Sequence, residues 1–264
     1  MAWRLDGGRA LVTGGTKGIG EATVAELCAV GASVFLCARE GVAARVAAWR
    51  AEGLSVAGVD ADVSTPTGRA LLVAAVTAHW GGELDVFVSN VGTNIRKETV
   101  AYTAEEFERV MGTNFTATYA LCQQLKPLLQ RAASTSGRTS SIVLNSSVAG
   151  VVAISSGSVY AASKAALNQL ARNLGCEWGR ERIRVNAVCP WYTDTPLVCS
   201  PRRFSVFPVR LMRAPSDAPC RLPQCWLTPR SFSSSCRARR WAASPPQRRW
   251  RRRWCSFACP RPAT

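Results

Sequence analysis

Short apolar runs rich in β-branched residues alternate with stretches of helical spacing from residue 9 to residue 190. "RALVTGG" and "ASVFLCAR" flank a segment, Glu21 to Val30, with the apolar period of a helix, so this first unit is β-α-β. "LSVAGVDADV" follows as a third strand, "TGRALLVAAVTAHW" as a helix and "LDVFVSN" as a fourth strand. "AEEFERVMGTNFTATYALCQQLKPLL" is expected to form one long helix. "SSIVLNSS" is then the fifth strand, "SVYAASKAALNQLARNLGCEW" a helix and "RIRVNAVCP" the sixth strand. Such alternation specifies an α/β fold, a doubly wound parallel sheet with right-handed crossovers and helices on both faces. Ligands of such sheets bind beyond the carboxyl ends of the strands.

The first strand runs into Thr13-Gly14-Gly15-Thr16-Lys17-Gly18-Ile19-Gly20. Glycines at 14, 18 and 20 permit a sharp turn, bring backbone N–H groups close to a pyrophosphate and let the next helix pack tightly on the strand. A glycine cluster carries little by itself. Placed between the first strand and first helix of a β-α-β unit, it marks a Rossmann-type dinucleotide site.

The spacing T-G-x-x-x-G-x-G resembles that of the short-chain dehydrogenase/reductase family, and further matches follow in order. "SNVG", Ser89 to Gly92, ends the fourth strand, Asn114 lies in the long helix, Ser147 ends the fifth strand, and Tyr160-Ala161-Ala162-Ser163-Lys164 opens the next helix. Within the family, "NVGTNIRK", "SSVAG", "CEW" and "CPWYTDTPLV" are similar to the plant tropinone-reductase-like group. The resemblance covers residues 5 to about 198 and implies a catalytic set of Asn114, Ser147, Tyr160 and Lys164. Tyr160 and Lys164 are four apart and share a helix face. A phenol titrates near pH ~10, and an ammonium beside it in a partly dry cleft favours the ionised form, so Lys164 would tune Tyr160 as a proton donor to a ketone. The resemblance further implies that Lys164 holds the nicotinamide ribose hydroxyls, that Ser147 hydrogen-bonds the substrate oxygen and that Asn114 completes a proton relay through water.

The cofactor contacts implied are Gly14, Thr16, Lys17, Gly18, Ile19, Gly20, Arg39, Asp62, Val63, Asn90, Gly92, Tyr160, Lys164 and Thr195, with no metal. Asp62-Val63 resembles the segment that contacts adenine. NAD-binding relatives place an acid at the end of the second strand, where this chain has Arg39, and Lys17 lies in the glycine loop. Two cations there favour a 2′-phosphate, so the expected cofactor is NADP(H). Two departures from the family pattern are mild: Ser89-Asn90-Val91-Gly92 stands for Asn-Asn-Ala-Gly, and Pro190-Trp191 for Pro-Gly.

The last 66 residues have a different composition. Of 33 Lys and Arg and 17 Asp and Glu, residues 1–198 hold 18 and 16, whereas residues 199–264 hold 15 and 1. All 20 glycines lie in the first part, and 10 of the 14 prolines and 6 of the 11 cysteines in the second. The expected division is therefore a reductase domain over 1–198 and a basic tail over 199–264, either unstructured or out of frame, in place of a seventh strand and its helices. "RRWRRRW", Arg248 to Trp254, has a permitted spelling that one base earlier encodes Glu-Glu-Val-Ala-Ala-Ala-Val, and "ARRWAA", Ala238 to Ala243, one that yields Thr-Pro-Leu-Gly-Arg; both peptides resemble the family's own C-terminal region.

The chain is thus expected to be an oxidoreductase that reduces a ketone to a secondary alcohol with NADPH. The alternatives are a non-catalytic dinucleotide-binding remnant and a basic nucleic-acid-binding protein acting through Arg and Trp of the tail. A small-molecule ketone or alcohol is the expected partner, with a homo-oligomer implied by the family, no nucleic acid and no membrane. The N-terminus has no long apolar run of the export type, so a cytoplasmic location is the default. Cys28, Cys37, Cys122, Cys176 and Cys189 are expected as buried free thiols.

Overall fold

A computed structural model describes residues 4–193. The division expected at residue 198, the basic tail and Thr195 lie outside the described residues. Six strands, β1 (Arg9–Thr13), β2 (Ser33–Ala38), β3 (Val56–Asp60), β4 (Val86–Ser89), β5 (Ser140–Asn145) and β6 (Ile183–Val188), form one parallel sheet in the order β3-β2-β1-β4-β5-β6. The crossovers contain α1 (Gly18–Ala29), α2 (Val42–Ala51), α3 (Pro66–Trp80), α4 (Ala104–Met111), α5 (Ala117–Ser136) and α6 (Ser158–Trp178). This is the expected doubly wound sheet. Strand order reverses between β1 and β4, and a crevice opens there at the carboxyl ends.

Alternation along the strands sorts the core into two layers. Leu11, Phe35, Phe87, Ile142 and Leu144 pack with α3, α5 and α6 through Leu72, Leu125 and Leu167. Ala10, Val12, Val34, Leu36 and Val88 face the other way, onto Val24 of α1 and Val46 and Trp49 of α2. That second layer thins toward the β6 edge, where Val188 is 52% exposed. Among the described residues, no helix is long and apolar enough to cross a membrane.

Two elements differ from expectation. The long helix expected from Ala104 is divided: α4 ends at Met111, Gly112–Thr116 makes a π turn, and α5 continues from Ala117. Such an insertion adds a residue to the turn and realigns the side chains beyond it, and Asn114 lies at its centre. The strand expected over 54–63 pairs only as far as Asp60, and Ala61 to Ser64 leave the sheet. As for the thiols, Cys37 and Cys122 are buried, but Cys176 is exposed because it occupies the outer face of α6, and Cys28 and Cys189 are half-buried.

Candidate active site

The glycine loop turns on two left-handed residues, Gly14 with φ 67° and Gly18 with φ 56°, a region open to glycine at little cost. Gly14 and Gly15 donate their N–H groups to the Cys37 carbonyl at 2.8 and 3.2 Å, tying the loop to β2. The N-cap residue of α1, Lys17, makes no side-chain capping bond, so the first N–H groups of the helix are left for another partner. Gly20 is required by contact: a Cβ there would lie 2.1 Å from the Gly14 carbonyl oxygen and 2.5 Å from Asn90 Nδ2.

Asparagines stitch the strand ends together. Asn90 Nδ2 donates to the carbonyls of Thr13 at 3.0 Å and Gly14 at 3.2 Å, and its Oδ1 accepts from Asn145 Nδ2 at 2.8 Å. Thr13 Oγ1 accepts from the Asn90 N–H at 3.0 Å. The ends of β1, β4 and β5 therefore hold one another through side chains as well as through the sheet.

Lys164 is 3% exposed and donates from Nζ to the Asn145 carbonyl at 2.6 Å. Its other two Nζ hydrogens have no acceptor among the described residues. Burial lowers its pKa from the ordinary lysine value to about 8. One helical turn earlier on α6, Tyr160 presents its ring with the centroid 5.6 Å from Lys164 Nζ. Ser147 caps a short 3₁₀ turn, its Oγ accepting from the Ala149 N–H at 3.2 Å.

Asn114 is fully buried, and its side chain makes three hydrogen bonds. Oδ1 accepts from the Thr93 N–H at 2.8 Å, while Nδ2 donates to the Thr93 carbonyl at 3.0 Å and to Ser163 Oγ at 2.9 Å. Ser163 Oγ in turn donates to the Tyr160 carbonyl at 2.7 Å. The amide joins the loop after β4 to the helix that carries Tyr160 and Lys164.

A cleft of about 540 Å³ runs along the strand ends. It is lined by Gly14, Thr16, Lys17, Ile19, Arg39, Asp62, Val63, Asn90, Gly92, Ser147, Tyr160 and Lys164 of the anticipated set. Gly18 and Gly20 stand behind the loop and Asn114 behind the wall. Arg109, Thr113, Asn145 and Trp191 also line the cleft and were not anticipated. Arg109 and Thr113 are four apart on a continuous helical path, a spacing that could have suggested a shared face once Asn114 was assigned. At the other end, Ser64 donates to Asp62 Oδ1 from its hydroxyl at 2.7 Å and its N–H at 2.9 Å. These bonds hold the Asp62 carboxyl below its ordinary range, and the charge of Arg39 acts in the same direction.

The contents of this cleft fit a dinucleotide. It offers glycines whose missing side chains leave room for a backbone approach and an open helix N-terminus for phosphate. Arg39 and Lys17 have no ion-pair partner among the described residues, and Lys164 has two hydrogens to donate.

A Rossmann-type sheet with such a cleft and a Tyr-Lys pair on one helix face defines a dinucleotide-dependent oxidoreductase. Residues 9–203 match the short chain dehydrogenase family, and the chain belongs to it. It is 46% identical over 198 residues to a tropinone reductase homolog of Datura stramonium, spanning 74% of this chain and 72% of that one. It is 51% identical over 197 residues to senescence-associated protein 13 of Arabidopsis thaliana, spanning 74% and 71%. Among solved structures, the RhlG/NADP active-site complex of Pseudomonas aeruginosa superposes with a TM-score of 0.69 at 36% identity, over 74% of this chain and 76% of that one. An NADH-dependent reductase responsible for alginate metabolism, A1-R′, superposes with a TM-score of 0.68 at 32% identity, over 72% and 79%. A nicotinamide dinucleotide is thus the class of cofactor the family uses.

Proposed function

We propose that the domain over residues 1–198 reduces a small-molecule ketone to a secondary alcohol, with NADPH in preference to NADH. The observation that carries this reading is Lys164, buried at the cleft, with Nζ anchored 2.6 Å from the Asn145 carbonyl and 5.6 Å from the Tyr160 ring centroid. Tropinone reductase homologs among the relatives support a ketone as substrate, and the NADP complex of RhlG supports the phosphorylated cofactor. The family supports a homo-oligomer.

A nicotinamide dinucleotide held in the cleft would supply hydride to the carbonyl carbon. The chain supplies alignment and a proton. The glycine loop and the N-terminus of α1 would hold the pyrophosphate, and Lys17 and Arg39 would hold a 2′-phosphate. Tyr160 Oη donates its proton to the substrate oxygen as negative charge develops there, and Ser147 Oγ hydrogen-bonds the same oxygen. The Lys164 ammonium favours the resulting phenolate. The Asn114 backbone carbonyl in the π turn, which accepts from Thr118 Oγ1 at 3.1 Å, keeps a second lone pair for a water-mediated relay.

Tyr160→Phe keeps the ring and removes the proton donor. Reduction of cyclic and bicyclic ketones should fall by about 10²-fold or more, with NADPH affinity nearly intact. A wild-type chain that binds NADPH but reduces no ketone in the panel would establish the non-catalytic remnant instead.

A further inference from the structure

Arg69 lies on the first turn of α3 and is 8% exposed. Its Nη1 donates to the carbonyl oxygens of Val63 at 2.9 Å and Ser64 at 3.1 Å. Its Nε is buried without a partner, and no carboxylate pairs with it among the described residues. A buried cation held by carbonyls alone carries a desolvation cost that a neutral side chain of similar volume would avoid. What it achieves must lie in where it places those two carbonyls.

The segment it holds is the one that leaves the sheet after β3 and lines the cleft through Asp62, Val63 and Ser64. Most of its polar groups are consumed locally. The Asp62 carbonyl accepts from the Thr65 N–H at 3.1 Å and from Thr65 Oγ1 at 2.9 Å, and Asp62 Oδ1 accepts twice from Ser64. Arg69 takes the next two carbonyls. An acceptor, Asp62 Oδ2, and a donor, the Val63 N–H, remain uncommitted on adjacent residues among the described partners. That pair complements the amino group and neighbouring ring nitrogen along the edge of an adenine. The first turn of α3 is pressed against the segment: a Cβ on Gly68 would lie 2.0 Å from the Asp62 carbonyl oxygen. This close approach lets the Arg69 guanidinium reach around to Val63 and Ser64.

We propose that Arg69 is a positioning residue for the adenine half of the cofactor cleft, drawing the Val63 and Ser64 carbonyls toward α3 so that the Val63 N–H and the Asp62 carboxylate face the base. This rests on the dinucleotide reading above. A clamp that only stabilised the start of α3 would affect every ligand and every step alike. Arg69 instead should affect one half of one ligand.

The test uses the full-length chain, Arg69→Met and Arg69→Lys, with 2′,5′-ADP and reduced nicotinamide mononucleotide as separate calorimetric probes. Arg69→Met should weaken 2′,5′-ADP by about 10-fold or more, the scale of one lost oriented polar contact, and leave the mononucleotide within about 2-fold. Arg69→Lys, which keeps the charge and one donor direction, should recover part of the loss. In turnover the KM for NADPH should rise while kcat at saturating cofactor holds. Equal weakening of both probes, or undiminished 2′,5′-ADP binding, would overturn the proposal. Should Arg69→Met fail to fold, Arg69→Lys alone decides, since wild-type affinity for 2′,5′-ADP in that variant contradicts it. A wild-type chain that binds neither probe defeats the dinucleotide reading, and this inference falls with it; binding of both probes by wild type and by Arg69→Met alike defeats this inference alone.

Discussion

Lys164 Nζ sits 2.6 Å from the carbonyl oxygen of Asn145, joining the second turn of α6 to the end of β5 beneath the cleft. The bond fixes where the ammonium stands, yet burial still lowers its pKa to about 8. The role proposed for Lys164 and the stability of the fold are therefore opposed at one atom.

The opposition can be measured in the protein without cofactor. The folded pKa lies below the unfolded value of 10.5, so below pH 8 the charge is carried in both states and costs the folded one on the order of 3 kcal/mol. The cost is relieved as pH rises from about 8 to 10.5, where the unfolded chain binds the extra proton. Lys164→Met should abolish turnover yet gain stability relative to wild type at pH 7, with the gain shrinking by pH 10. Urea midpoints at the two pH values give the comparison, and a relative stability that does not change with pH contradicts the assignment.

Gly20→Ala tests the glycine loop. Its Cβ would meet backbone, 2.1 Å from the Gly14 carbonyl oxygen, and backbone cannot swing away as a side chain can. A stability loss at or above the upper end of the ~1–3 kcal/mol typical of overpacking is expected, with dinucleotide binding undetectable by fluorescence titration. Gly53→Ala serves as the control, since no atom lies within 4 Å of its Cβ position and only its φ of 85° opposes the change.

Arg39→Asp addresses cofactor choice. Replacing the cation by a carboxylate should lower the NADPH-to-NADH affinity ratio by about 10- to 100-fold, the worth of one charge-assisted contact. An unchanged ratio would remove Arg39 from the phosphate site. The same change withdraws a cation from Asp62 and should move that carboxyl upward, visible in an NMR titration.

Asn114→Ala would remove the side-chain partner of the half-buried Thr93 N–H and carbonyl and one of the two bonds of the buried Ser163 Oγ. At ~1–3 kcal/mol for a buried group left unsatisfied, and with water entering part of the space, a loss of about 2–4 kcal/mol is expected from chemical denaturation. Amide exchange should quicken first at Thr93. Unaltered exchange there would show that Asn114 does not anchor the loop.

The fold was legible because alternation of strand and helix is written in short-range patterns. Glu21 to Val30 has a helical period whatever surrounds it, and "SVYAASKAALNQLARNLGCEW" coincides with α6. The site was legible where a residue's type declares its chemistry, as with Tyr160, Lys164 and the glycines. What escaped depends on three-dimensional closure. Asn145 matters for its carbonyl, which every residue has, and Arg109 is brought to the cleft wall by the packing of α4 against α6, which no local pattern reports. The helix over Val42–Ala51 gave little signal because its exposed face is largely alanine, which blurs the contrast with the buried Val42, Val46 and Trp49. The early departure of β3 from the sheet follows from pairing: Ala38 ends β2 opposite Asp60, and its carbonyl takes the last cross-strand bond, from the Ala61 N–H at 2.7 Å.

The pairing of β1 with β4 also sets an order in time. Arg9 and Asp85, joined by backbone and side-chain bonds, are 76 residues apart, and the register continues through Ala10 with Val86 and Val12 with Val88. Closing so long a loop carries an entropic cost that grows with its length, whereas β1 with β2 requires only the α1 crossover. The glycine loop hangs from β1 and its asparagine brace from β4, so the phosphate cradle is complete only after the distant closure is made. A ligand that recognises the finished cradle stabilises contacts formed late, and it should act by slowing unfolding rather than by speeding folding.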